Sequence, residues 1–241
     1  MFDHAFTRKI SNQTKWLFTL VVLPLYVYCG SLILSAFFKF IIVTFSLKFD
    51  YTTLNAYLNL IFDLIMVVLV GWILKDTLIE QWHDFKKDLK GNLIYGGLIG
   101  VAIIYGVGFL GGIITLILGA NVSSENQQLI ESIISVYPVI MAISSVILAP
   151  ILEEMIFRCI VFGWLYEFNP KLAHLFSGFV FGFVHIMMSV LSGNMSEWIQ
   201  IFTYFFMGMG LSYLYEKKNN IFVPMLSHGI YNLISILTIL L

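Results

Sequence analysis

"APILEEMIFR", residues 149–158, sets Glu153, Glu154 and Arg158 inside an apolar run that extends from about 129 to 167. A charge at the middle of a bilayer costs between about 3 and more than 10 kcal/mol, so these three side chains must be paired or put to use. Glu154 and Arg158 stand four apart, on one helix face, with the acid nearer the N-terminus, the favourable order for an ion pair. Glu153 is rotated by about 100° from Glu154 and has no partner in its own helix. A desolvated, unpaired carboxylate suits a base working near neutral pH. The plainer alternative is a single ionic brace tying helices together.

The rest of the chain places this stretch in a membrane. Hydrophobic residues make up 59% of the 241 and charged residues 11%, against about 25% charged in soluble domains. There is too little polar surface for a water-facing globule, and the expected fold is an all-α polytopic bundle forming one transmembrane domain over 1–241. Runs near the required twenty residues fall at 16–46, 54–75, 91–119, 129–167, 171–191, 196–216 and 221–241, about seven spans. Pro138 and Pro150 lie within the fourth and predict a kink. The glycines of the third predict close helix contacts.

Lysine and arginine placement orients the bundle. With the N-terminus in the cytosol, Arg8, Lys9, Lys15, Lys75, Lys86, Lys87, Lys90, Lys171, Lys217 and Lys218 lie inside and Lys48 alone outside. This is the positive-inside bias, and it puts the C-terminus outside. Residues 76–90 set Leu78, Trp82, Phe85 and Leu89 at helical spacing, as in an amphipathic helix on the cytosolic leaflet. Cys29 and Cys159 sit in apolar runs and read as buried thiols. No cleavable signal peptide, lipidation signal or basic tract for nucleic acid is apparent.

Few titratable groups remain at membrane depth: Asp63, Glu153, Glu154, Arg158, His185 and His228, with Lys39 and His174 nearer the ends. In "SGFVFGFVHIMM" (177–188), Phe181 and His185 share a face and Gly178 and Gly182 admit a neighbouring helix. In "VPMLSHGIYNLI" (223–234), His228 and Asn232 are one turn apart. A lone membrane histidine is usually a packing residue. Three such pairs on three helices point instead to one polar cavity, here expected in the inner half of the bilayer and open to cytosolic water.

Together, Glu153-Glu154-xxx-Arg158, Phe181-xxx-His185 and His228-xxx-Asn232 resemble the motifs of the CPBP family of intramembrane proteases, relatives of CAAX prenyl endopeptidases and of the Abi proteins linked to bacteriocin self-immunity. The resemblance covers roughly 129–241, the expected catalytic core. The prenyl endopeptidase relatives continue with a further span, whereas this chain stops at Leu241.

The resemblance implies a peptide hydrolase in which Glu153 is general base and His185 holds the water. His228 and Asn232 stabilise the oxyanion, and Glu154 and Arg158 fix the geometry, with Glu154 also a candidate to contact the water. No cofactor is needed in that scheme. Zinc held by Glu153, His185 and His228 is the alternative, the set a catalytic zinc prefers but without local ligand spacing. Cys159 has no group placed to activate it as a nucleophile.

The implied partners are the lipid bilayer and a membrane-associated peptide or protein. A non-catalytic immunity or regulatory protein on the same fold is the second reading. An ion-coupled transporter using Asp63 is the third, and no inverted repeats support it. The richness in Ile, Phe, Lys and Asn points to a bacterial plasma-membrane protein.

Overall fold

The computed structural model describes residues 10–120 and 123–241. Arg8 and Lys9, used above for orientation, lie outside the described residues. The described chain is helical from end to end, with no strand among the described residues. Six helices are long and apolar enough to cross a membrane: α1 (Asn12–Thr44), α2 (Tyr51–Ile73), α4 (Leu89–Ile117), α6 (Pro138–Tyr166), α7 (Pro170–Leu191) and α9 (Phe222–Leu240). Shorter helices α3 (Lys75–Lys87) and α5 (Glu125–Ile134) join them at opposite ends. The expected seventh span is α8 (Ile201–Lys218), which follows a short turn at Met195–Gln200. Its last turn holds Glu216, Lys217 and Lys218, so it falls short of the composition of a spanning helix, although 18 residues rise about 27 Å.

Polar caps and proline set the helix limits. The Ser11 hydroxyl accepts from Thr14 N at the start of α1, and the Asn169 side chain accepts from two backbone N–H groups at the start of α7. The run expected to cross as one span over 129–167 is instead two helices. Pro138 opens α6 because it lacks the N–H that would continue α5 and pushes Tyr137 out of helical geometry.

Helix α6 is the axis of the bundle, with 56% of its most apolar window buried. Leu152, Phe157 and Phe162 on α6 pack with Phe181 on α7 and Leu211, Leu214 and Tyr215 on α8. The outer surface is correspondingly greasy: Leu98, Phe109 and Ile117 of α4 are 70%, 68% and 77% exposed. Such a surface is stable only against lipid. Cys159 is buried, but Cys29 is exposed on α1, a correction to the expectation of two buried thiols: apolar surroundings in a membrane helix mark lipid contact as readily as core.

Glycines decide the closest helix contact. A Cβ at Gly208 on α8 would sit 2.9 Å from Gly178 Cα and 2.9 Å from Phe181 Cβ on α7. Gly208→Ala is therefore expected to destabilise by about 1–3 kcal/mol, the usual cost of overpacking. It should read as a lower thermal midpoint in detergent. Gly106→Ala, with nothing within 4 Å, is the matched control and should be neutral. The α4 glycines divide accordingly: Gly111 lies against Phe202 O, whereas Gly106 and Gly112 face open space.

Helix α3 turns Thr77, Gln81 and Phe85 inward. Gln81 O accepts from Asn220 Nδ2 at 2.8 Å, and the Trp82 and Phe85 rings lie 5.2 and 5.9 Å from that of Phe222. Of its expected apolar face, Trp82 and Leu89 are exposed. The helix is thus clamped to the start of α9 and presents only part of that face outward.

Candidate active site

Glu153 and Glu154 are adjacent on α6 yet occupy different surroundings. Glu154 and Arg158 are both fully buried, with Arg158 Nε 3.0 Å from Glu154 Oε2. Arg158 Nη2 also donates to Gly208 O at 3.2 Å, and its guanidinium lies 4.7 Å from the centre of the Phe181 ring. The other Glu154 oxygen, Oε1, is 3.0 Å from His228 Nδ1. Both oxygens of Glu154 are thereby engaged, and the residue does not line the cavity described below. Glu154 is the acceptor that holds the His228 ring, with Arg158 neutralising it from behind.

Glu153 faces the other way. It accepts a 3.1 Å hydrogen bond from the Tyr26 hydroxyl on α1. Its Oε2 is 3.9 Å from His228 Nε2, too far for a direct hydrogen bond but close enough for one water to bond both. Tyr26 carries no charge at neutral pH and so is not among the groups singled out from the sequence. Counting hydroxyl-bearing side chains at membrane depth would include it.

His185 on α7 is fixed by two contacts. Its Nδ1 is 2.7 Å from Phe181 O, one turn earlier, which makes Nδ1 the protonated nitrogen of the neutral ring and leaves Nε2 as an acceptor. The ring stacks on Tyr204 of α8, centre to centre 4.4 Å. Phe181 sits between the histidines, its ring 4.5 Å from His185 and 5.8 Å from His228. On α9, Asn232 donates from Nδ2 to Ser145 O at 2.7 Å, which occupies one of its two N–H groups.

Glu153, His185, His228 and Asn232 all line a single cavity of about 690 Å³. Asp63 on α2 lines it too and accepts from the Ser144 hydroxyl of α6, so Asp63 belongs to the wall of this cavity rather than to a separate ion path. His174, by contrast, stands apart: its ring bonds Ser212 at 2.7 Å and Glu216 at 2.9 Å.

The cavity does not run toward the lysine-rich end, as the sequence reading expects. From Glu153 its wall continues past Ser144 and Ser145 to Asn126, Gln127 and Glu131 of α5. No lining residue comes from 64–111, 154–180 or 208–227, the segments that build the lysine-bearing end. His228 lies six residues into α9, about two turns in as expected, and its Nε2 is 3.9 Å from Glu153 Oε2 at this end of the lining.

Among the described residues, no three His, Cys, Asp or Glu side chains gather in a geometry that could hold a metal ion. His228 Nδ1 is held by Glu154 and His185 Nδ1 by a backbone carbonyl, which leaves the Nε2 atom of each ring to meet a ligand in the cavity.

Residues 135–234 match the model of a family described as type II CAAX prenyl endopeptidase Rce1-like. The match contains all three motifs. "Putative membrane peptidase YdiL" of Bacillus subtilis (strain 168) is 33% identical over 168 residues, 69% of this chain and 64% of its own length. "UPF0177 protein YvdC" of Lactococcus lactis subsp. lactis (strain IL1403) is 26% identical over 136 residues, 56% of this chain and 49% of its own. The chain therefore spans less than two thirds of either relative. No solved structure matches.

Proposed function

We propose that this chain, whose residues 135–234 belong to the CAAX prenyl endopeptidase-like (CPBP) family of intramembrane proteases, is itself a multi-pass membrane endopeptidase in which Glu153 activates the attacking water. The observation that carries the reading is the convergence of Glu153, His185, His228 and Asn232, from three helices, on one polar cavity. A helix-tying brace needs only Glu154, Arg158 and His228. It gives no reason for a second carboxylate, a second histidine and a tyrosine to face empty space.

In this mechanism a water held by Glu153 and the Nε2 acceptor of His185 loses its proton to Glu153 as its oxygen bonds the scissile carbonyl carbon. His228, its Nδ1–H turned to Glu154, carries a second proton on Nε2 and donates it as a hydrogen bond to the developing oxyanion. The free N–H of Asn232 is the second donor. Donors fixed before the reaction stabilise such charge without reorganisation. Glu153 then returns the proton to the leaving amine as the C–N bond breaks. Tyr26 aims the carboxylate.

The test compares membrane and secreted peptides, by mass spectrometry, from cells carrying wild-type or Glu153→Gln protein. A peptide whose processed end disappears with the substitution identifies activity and substrate together. Identical peptide sets would defeat the reading. Tyr26→Phe is a milder probe. It removes a hydrogen bond to a charged acceptor, worth about 1.5–3 kcal/mol, and should lower kcat/KM roughly tenfold or more with little change in KM or thermal midpoint.

A further inference from the structure

The direction in which the cavity opens bears on where the substrate comes from. Its outer wall is made by Asn126, Gln127 and Glu131, on the short helix that follows the exit end of α4. Among the described residues this end of the bundle carries Asp50, Glu125, Glu131 and Glu197 against Lys48 and Lys39, and neither lysine lines the cavity. Lys15, Lys75, Lys171 and Lys217 stand at the opposite end. Lysine at membrane-flanking turns marks the cytosolic side, so the mouth belongs to the other one.

The charge inside leans negative as well. Glu131 and Glu153 bring carboxylates to the lining, no lysine or arginine faces it, and His228, protonated in the proposed mechanism, is matched by Glu154 behind it. Around it, hydrogen bonds from Ser189 and Asn194 hold the Glu125 carboxyl below its ordinary range, adding a further carboxylate beside the entrance. A cleft lined by one sign of charge between low-dielectric walls concentrates ligands of the opposite sign.

We propose that the mouth faces the outside of the cell and admits a basic peptide segment lying at the extracytoplasmic surface of the membrane. The substrate class rests on the peptidase reading; the orientation and charge preference of the mouth do not. The Gln127 amide, which donates to Glu131 at 3.1 Å, and the Asn126 amide, which donates to the Tyr204 hydroxyl, exchange these partners for an extended backbone, and Glu131 offers the counter-charge to a lysine or arginine.

The test uses full-length protein with the exposed thiol removed by Cys29→Ser and a reporter introduced by Asn126→Cys. A membrane-impermeant maleimide should label it in right-side-out vesicles. A Lys171→Cys control at the other end should label only in inverted ones. A lysine-rich peptide added outside should slow labelling about tenfold, in line with electrostatic enrichment in a cleft. A glutamate-rich peptide of equal length should leave the rate unchanged, and Glu131→Lys should abolish the protection. Labelling confined to inverted vesicles, equal protection by both peptides, or protection by neither overturns the proposal. Occupancy is read without any cleavage, so a failure of Glu153→Gln to alter processing would sink the peptidase reading and leave this result standing.

Discussion

Glu153→Gln is expected to lower peptide cleavage by about 10²–10⁴-fold, the usual contribution of a positioned general base, while leaving the thermal midpoint within a few degrees of wild type. The two halves of that expectation come from the same geometry. Glutamine keeps the shape and still accepts the Tyr26 hydrogen bond, now 3.1 Å long, but it takes no proton from water. Glu153 is not part of the buried ion pair, whose members are Glu154 and Arg158. Its side chain faces the cavity, where water can replace lost contacts.

The loss should fall on kcat more than on KM, because the carboxylate acts as the water attacks rather than when the peptide docks. Residual activity above one tenth of wild type would remove Glu153 from the mechanism. His185→Gln serves as the comparison: an amide cannot mimic both the Nδ1–H bond to Phe181 O and the free Nε2 acceptor.

The membrane-helical character of the chain is readable because composition alone forbids a water-soluble surface, and the three motifs are readable because helical spacing fixes which side chains share a face. Glu154 with Arg158, and Phe181 with His185, are pairs of that kind. Relations between helices are not readable in the same way. Periodicity says nothing about the rotation or axial offset of one helix against another, so the inward turn of Tyr26 from α1 and the bond from His228 to Glu154 across 74 positions leave no local trace. The direction of the cavity escapes the sequence for that reason. Depth within each span is counted there from assumed ends, and the kink expected at Pro138 is a full break that makes α5 a helix of its own. Cys29 shows a related limit: in a lipid-facing helix, hydrophobic neighbours do not mean an interior.

Arg158→Ala should be the most destabilising single change in the core, by about 3–5 kcal/mol, the range for breaking a buried ion pair from one side. Alanine strips the Glu154 carboxylate of the 3.0 Å guanidinium, the Gly208 carbonyl of its 3.2 Å donor and the Phe181 ring of the cation above it. Folded proteins have only about 5–15 kcal/mol to lose, so the variant should accumulate poorly or melt far below wild type in detergent.

Arg158→Lys tests whether charge alone suffices. A single ammonium cannot span both the carboxylate and the carbonyl, and recovery should be partial. Glu154→Gln with Arg158→Met removes the pair from both sides, and stability should return nearly to wild type, since a matched apolar replacement of a buried pair is often neutral or better. Activity should remain depressed in that double variant, because the introduced amide offers His228 a neutral acceptor in place of a carboxylate and the protonated ring loses its counter-charge. If Arg158→Ala melts with wild type, the Glu154–Arg158 pair does not hold α6 against α8. If the double variant recovers activity along with stability, Glu154 is a packing residue and His228 takes its orientation from elsewhere.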